Sequence, residues 1–162
     1  PSRGLGDVYK RQDINIVIDA GGLYYMKEFG CPSNAIITPH PGEAAMLLDC
    51  SVEELQKDRL EAAKELYKRY NCLIILKGYQ TIVFDGEAYQ CTDGGPALST
   101  AGTGDVLAGL IGSFLAQGLS KMDAARFSVA IHGAAGDKFS KNKGVRGLTA
   151  TKLIKIINEE ML

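Results

Sequence analysis

The apolar positions of this chain fall into two kinds of run. Short, β-branched blocks occupy the first half: Ile14–Ala20 (INIVIDA), Asn34–Thr38 (NAIIT) and Cys72–Leu76 (CLIIL). Each is too brief for a buried helix, and Gly or Pro follows each within a few residues, so each predicts a buried strand. Two further runs, Thr81–Phe84 and Glu87–Cys91, flank Asp85-Gly86, a pair that favours a tight hairpin turn. Between these blocks the pattern lengthens toward a helical period. Leu23–Phe29 and Gly42–Leu48 predict short helices. Ser51 followed by Glu54 fits a capping box, with a helix running from there to about Tyr70. Beyond Pro96 there is no proline, and the pattern predicts helices over about 104–117, 121–140 and 149–161, with Gly118 closing the first. Strands alternating with helices, then a hairpin, then helices, predict an α/β fold on a mainly parallel sheet. No internal repeat or linker interrupts it.

Composition narrows the partners. In 162 residues, 46% hydrophobic and 23% charged is ordinary for a globular protein and argues against disorder. Eighteen Lys+Arg against nineteen Asp+Glu leave a net charge of −1, without the basic excess of a bulk nucleic-acid binder. A membrane partner is not expected either. A spanning helix needs about 20 apolar residues, and the longest candidate, Val106–Leu119, is shorter and carries Ser113, Gln117 and three glycines. Cys31, Cys50, Cys72 and Cys91 form no CxxC motif and are expected as free thiols in a reducing cytoplasm. Two distant histidines, His40 and His132, do not suggest a protein-built metal site. The first twelve residues, Pro1–Gln12, show no apolar period and no signal-peptide pattern. They are expected to be a non-native or disordered lead, with residues 13–162 forming the C-terminal portion of a single, N-terminally truncated domain.

Three segments carry the candidate chemistry. Gly102-Thr103-Gly104-Asp105 opens the helix after a loop of small residues. Free N–H groups and the positive end of the helix dipole suit a phosphate there, and Asp105 at the mouth can take a proton from a substrate hydroxyl. A plain helix cap after a loop would look the same in those four residues. Neither a Walker A loop nor a dinucleotide fingerprint is present, and the GLGD at Gly4–Asp7 follows no strand. Lys77-Gly78-Tyr79-Gln80-Thr81 sits at a strand's carboxyl end, where open α/β sheets bind ligands. Lys77 could meet a phosphate there, or be a surface lysine beside a turn. Thr38-Pro39-His40-Pro41-Gly42-Glu43 also ends a strand. Its prolines fix the direction of His40, while Glu43 falls in a first helical turn, where an acid is favoured for capping alone. The small residues Ala108, Gly109, Gly112, Ala130, Gly133, Ala134 and Gly136 are expected to let two helices approach closely, with His132 a satisfied core or interface histidine.

Taken together, TPHPGEAAMLL (38–48), LKGYQT (76–81), GGPALSTAGTGDVLAGLIGSFLAQG (94–118), HGAAGD (132–137) and GLTATKLI (147–154) resemble the ADP/ATP-dependent NAD(P)H-hydrate dehydratases, from about Val17 to the end. The resemblance implies a ribokinase-like three-layer fold and repair of hydrated NADH or NADPH, with ADP or ATP as phosphoryl donor and Mg²⁺ carried by the nucleotide. It implies Asp105 as base and hydrate-binding residue, and His40 and Glu43 as further hydrate-binding positions. It implies Lys77, Gly78, Tyr79, Gln80, Thr81, Gly102, Thr103 and Gly104 as nucleotide-binding positions. It leaves room for a homo-oligomer. The chain departs from the family at Asp19-Ala20-Gly21, where a second acid is common, at Met46, where Arg is common, and at Gly95–Ser99. A small-molecule kinase of the same superfamily and an inactive nucleotide-binding fragment are the rival readings.

Overall fold

A computed structural model of the chain describes residues 14–161. The expected lead and the GLGD segment lie outside the described residues. The chain runs β1 (Ile16–Ile18), α1 (Gly21–Phe29), β2 (Ala35–Ile37), α2 (Pro41–Leu48), α3 (Val52–Lys57), α4 (Arg59–Tyr70), β3 (Leu73–Leu76), β4 (Ile82–Phe84) and β5 (Ala88–Gln90). A 3₁₀ turn at Pro96–Leu98 precedes α5 (Thr103–Ala116), α6 (Lys121–Lys143) and α7 (Ala150–Met161). Among the described residues the strands form one sheet in the order β1-β2-β3-β4-β5. The first three are parallel, with Ile18 beside Ile37 and Ile37 beside Ile74. The β4–β5 hairpin adds antiparallel, Leu76 facing Ile82.

Alternation along the strands divides the core. Ile37, Ile74 and Leu76 face α1, α2 and α4, meeting Leu23, Leu47 and Leu66. Their neighbours Ile36, Leu73 and Ile75 face the other way, against Leu107 and Ile111 of α5 and Val129 of α6. Covered on both faces, these strands read as unbroken apolar runs, as parallel strands do. A third cluster, including Phe139, Leu148, Leu153 and Ile157, fastens α7 to α6. The result is a three-layer α/β/α arrangement. No helix among the described residues is long and apolar enough to cross a membrane.

Two local expectations need correction. The helix expected from Ser51 to Tyr70 breaks at Asp58, which leaves helical geometry at φ −145°, ψ 89°. Its carboxylate instead caps the next helix, accepting from the Glu61 N–H at 2.9 Å. The Ser51 hydroxyl does accept from the Glu54 N–H, but the reciprocal capping box forms at His40 and Glu43. The glycines also divide differently. A Cβ on Gly109 or Gly112 would meet nothing within 4 Å, so neither marks a close helix contact. Those on α6 do, but against a loop: a Cβ on Gly133 would lie 2.7 Å from the Asp93 carbonyl oxygen, and one on Gly136 would lie 2.6 Å from Leu98. The expected close at Gly118 is present. Gly118, at φ +89°, donates to Leu115, and Leu119 donates to Phe114, the Schellman pair of bonds.

Gly133→Ala is expected to cost about 2 kcal/mol and lower Tm by about 6 °C, because the obstructing atoms are backbone and cannot swing aside. Thermal unfolding measures it, with Gly109→Ala as a control expected to be neutral or stabilising, since that helical site is open.

Candidate functional site

Because β1, β2 and β3 are parallel, their carboxyl ends open on one edge of the sheet. Asp19 follows β1, Thr38–Pro41 follow β2 and Lys77 follows β3. The start of α5 faces them. Asp19, His40, Pro41, Lys77 and the start of α5 line a cavity of about 640 Å³, large enough for a small molecule and not only a phosphate. His40, Glu43, Lys77, Gly78, Tyr79, Thr81, Gly102, Thr103, Gly104 and Asp105 all contribute to its wall. Gln80 does not: its side-chain oxygen accepts from the Gln90 amide at 2.9 Å, over the hairpin.

The α5 end is built for close approach. Gly102 takes φ +85° beside Ala150, and no side chain caps the helix, so no side-chain oxygen occupies its first N–H groups. The buried Thr103 hydroxyl bridges the carbonyls of Leu98 (2.6 Å) and Thr100 (2.8 Å), tying the helix start to the preceding loop. His132 of α6 is satisfied as expected, and its bond falls on this same helix start: Nε2–H donates to the Thr103 carbonyl at 2.8 Å. Burial pulls the His132 pKa down, against the pull of that carbonyl and with help from the Lys77 charge, so the ring is neutral. Asp137, further along α6, accepts from the Gly94 N–H at 3.0 Å and anchors the loop that closes the cavity.

Opposite, Lys77 lies between two carboxylates. Its Nζ is 2.8 Å from Asp19 Oδ1 and 3.9 Å from Glu43 Oε2. Burial pushes the Asp19 carboxyl up, but the Lys77 ammonium, the Thr38 hydroxyl and the Ala20 N–H outweigh it, and the net shift is downward. A Cβ on Gly104 would come within 3.4 Å of Lys77 Nζ, so glycine there brings the ammonium against the helix start. Glu43 is buried and accepts from the His40 N–H at 2.8 Å, while the Glu43 N–H donates to His40 Nδ1 at 3.1 Å. With Nδ1 accepting, the ring proton sits on Nε2. The Lys77 loop is held from behind by Arg59. Its guanidinium donates to the carbonyls of Leu76 and Lys77, both at 3.1 Å, and to that of Tyr79.

In the sequence Asp19 stands out only as a departure from the family pattern, and nothing marks Arg59 or Asp93. Asp137 has a signal, its place in HGAAGD. Arg59 has none, since its partners lie 17–21 residues away and meet it only through the fold. Among the described residues, no three His, Cys, Asp or Glu side chains converge as a metal cage.

The site can hold an anion at the α5 amides, neutralise charge with Lys77 and place a carboxylate, Asp105, at the mouth. A family model described as NAD(P)H-hydrate dehydratase matches residues 5–159. The bifunctional NAD(P)H-hydrate repair enzyme Nnr of Vibrio cholerae is 43% identical over 145 residues, 88% of this chain and 29% of that protein. The ADP/ATP-dependent NAD(P)H-hydrate dehydratase of Bacillus subtilis, co-crystallized with ATP/Mg²⁺, superposes with a TM-score of 0.84 at 34% identity, over 91% of this chain and 54% of that one. A ribokinase-like superfamily protein of Enterococcus faecalis superposes with a TM-score of 0.83 at 27% identity, over 95% of this chain and 54% of that one. The chain thus spans between about a third and about half of the length of these relatives.

Proposed function

The chain belongs to the NAD(P)H-hydrate dehydratase family, with the ribokinase-like fold of its relatives, and from that premise we propose that the protein dehydrates hydrated NADH or NADPH, with ADP or ATP as phosphoryl donor. The single observation that carries this reading is the convergence of the 38–43, 77–81 and 102–105 segments on one cavity. In this reading the hydrate hydroxyl approaches Asp105, which accepts its proton as the oxygen attacks the terminal phosphoryl group. The amides of Gly102–Gly104 hold the transferring phosphoryl oxygens, whose charge is spread in the transition state. Phosphorylation turns a poor leaving group into a good one; the C–O bond to phosphate then breaks, a proton leaves the adjacent ring carbon, and the electron pair of that C–H bond restores the double bond of the reduced nicotinamide ring.

Lys77, Gly78, Tyr79, Gln80 and Thr81 are proposed on the nucleotide side. Gln80 would act through its backbone, because its side chain is engaged with Gln90. His40 and Glu43 are proposed on the hydrate side, where the capping box keeps the imidazole Nε2–H in one orientation. Mg²⁺ suits this donor set as an ion carried mainly by phosphate oxygens and water, with Asp19 and Asp105 as the nearby carboxylates, and it would supply further charge neutralisation.

The test is turnover. NADHX incubated with the protein, Mg²⁺ and ADP or ATP is expected to regain reduced-nicotinamide absorbance with equimolar phosphate release. Accumulation of a phosphorylated product without phosphate release would make the protein a kinase. Nucleotide binding without turnover of any kind would remove the enzymatic reading for this chain.

A further inference from the structure

Arg59 sits where stability alone would not place a cation. It opens α4, and the positive end of the helix dipole disfavours a cation in that first turn. The side chain is half-buried, burial acts against its charge, and among the described residues no carboxylate pairs with it. A local preference broken in this way points to a functional reason. The partners of Arg59 all belong to one stretch of backbone. Nη2 donates to the carbonyls of Leu76 and Lys77, both at 3.1 Å, and Nη1 to that of Tyr79 and, at 3.5 Å, to that of Gln80. The guanidinium seats directly on that backbone, since a Cβ on Gly78 would lie 3.0 Å from Nη2.

The peptide unit turns these bonds into an orientation. Among the described residues no peptide bond is cis, so the C=O of one residue and the N–H of the next point in opposite directions. With the Leu76, Lys77 and Tyr79 carbonyls aimed at Arg59, the N–H groups of Lys77, Gly78 and Gln80 are aimed away from it. The Lys77 N–H marks that direction, because it donates to the Pro39 carbonyl at 2.9 Å, beyond the end of β2. Gly78, Tyr79 and Thr81 line the cavity, whereas Arg59 lies behind them, outside its wall. We propose that Arg59 is a positioning residue for nucleotide binding: it touches no ligand, and it fixes the peptide planes of residues 76–80 so that the Gly78 and Gln80 amides face the nucleotide.

This rests on the nucleotide-binding reading of the 77–81 segment and extends it to a residue outside the site. Gln80 serves a nucleotide only through its backbone, and Arg59 holds the carbonyls on both sides of the Gln80 N–H, those of Tyr79 and Gln80. A carbonyl released from the guanidinium is free to turn, and a turned peptide presents an acceptor to the phosphates where a donor stood. Arginine suits the task because its planar fork spreads five donors over several carbonyls. A lysine ammonium keeps the charge but concentrates its donors at one point.

The test compares Arg59→Met and Arg59→Lys with the unsubstituted protein by calorimetric titration with ADP and by amide hydrogen exchange at Lys77. Arg59→Met is expected to weaken ADP binding about tenfold or more, the lower end of what misplacing a binding group by about 1 Å costs. The Lys77 amide should exchange about tenfold faster, since the loop that holds it against Pro39 has lost its anchor. Arg59→Lys should recover only part of the affinity, and it carries the test if Arg59→Met does not fold. Ile157→Ala, which opens a cavity in the core beneath α7, should lower Tm but leave ADP affinity within about twofold. Unchanged ADP affinity in Arg59→Met, full affinity in Arg59→Lys, or an equal loss in Ile157→Ala overturns the proposal. If the unsubstituted protein does not bind ADP, the nucleotide reading itself fails, and Lys77 exchange then decides by itself whether Arg59 orients the loop.

Discussion

Asp105→Asn is expected to lower kcat for the dehydration by about 10²–10⁴-fold, the usual contribution of a positioned base, while nucleotide affinity stays within about threefold. Asparagine keeps the shape and one acceptor oxygen of the carboxylate but cannot take the hydroxyl proton. The substitution should leave the fold intact. Asp105 is exposed at the first turn of α5, and no ion pair to it is found among the described contacts. Losing an anion at a helix start costs about 0.5 kcal/mol. Steady-state turnover and calorimetric titration with ADP separate the two quantities. Full turnover in the variant would mean that another group accepts the proton. A collapse of ADP affinity with kcat unchanged would move Asp105 to the nucleotide.

Lys77→Met is expected to have the largest effect on stability, about 3 kcal/mol at pH 7. It removes the ammonium that lies between Asp19 and Glu43 and leaves two largely buried carboxylates in mutual repulsion. The effect has a pH signature. In the unsubstituted protein the folded-state pKa of Asp19 lies below its ordinary value. That carboxylate therefore contributes stability above about pH 4, the unfolded value, and the contribution is lost as pH falls through the lower folded value. In the variant, burial acts without the lysine and raises the folded-state pKa. An acid whose folded pKa is raised destabilises the fold at neutral pH and recovers as it takes up a proton. The difference between the two proteins should thus be widest at neutral pH and shrink as pH falls below about 5. Urea unfolding at pH 7 and pH 4 measures this. An equal deficit at both would show that lost packing, not charge, is what Lys77 contributes.

The extent to which the site was legible varied by residue. The strands were legible because each is a compact β-branched block with punctuation at its end, and Lys77 and His40 were legible as chemistry at two such ends. The GTGD element was visible as glycines opening a helix. Asp19 was harder to place, since an acid at a strand end is common and its importance arises from Lys77, 58 residues away. The break at Asp58 was hidden because the residues on both sides favour a helix. What decides it is Asp58 capping α4, which starts Arg59 where its guanidinium reaches the Lys77–Tyr79 loop. The α6 glycines pack on the 93–98 loop and not on α5, because sequence shows that a surface is close-packed but not what packs on it.

The residue pattern alone determined the alternation of strands and helices, the mainly parallel character of the sheet, the near-even charge balance and the motifs that mark the family. These are local properties, carried by spacing and side-chain type within a few positions. Only the tertiary structure decided that Asp19, Lys77 and Glu43 form one charged cluster, and that His132 and Asp137 brace the α5 start and its loop. Those pairings join residues far apart in the chain, and their energies depend on distance and on exclusion of water, neither of which exists before the layers close.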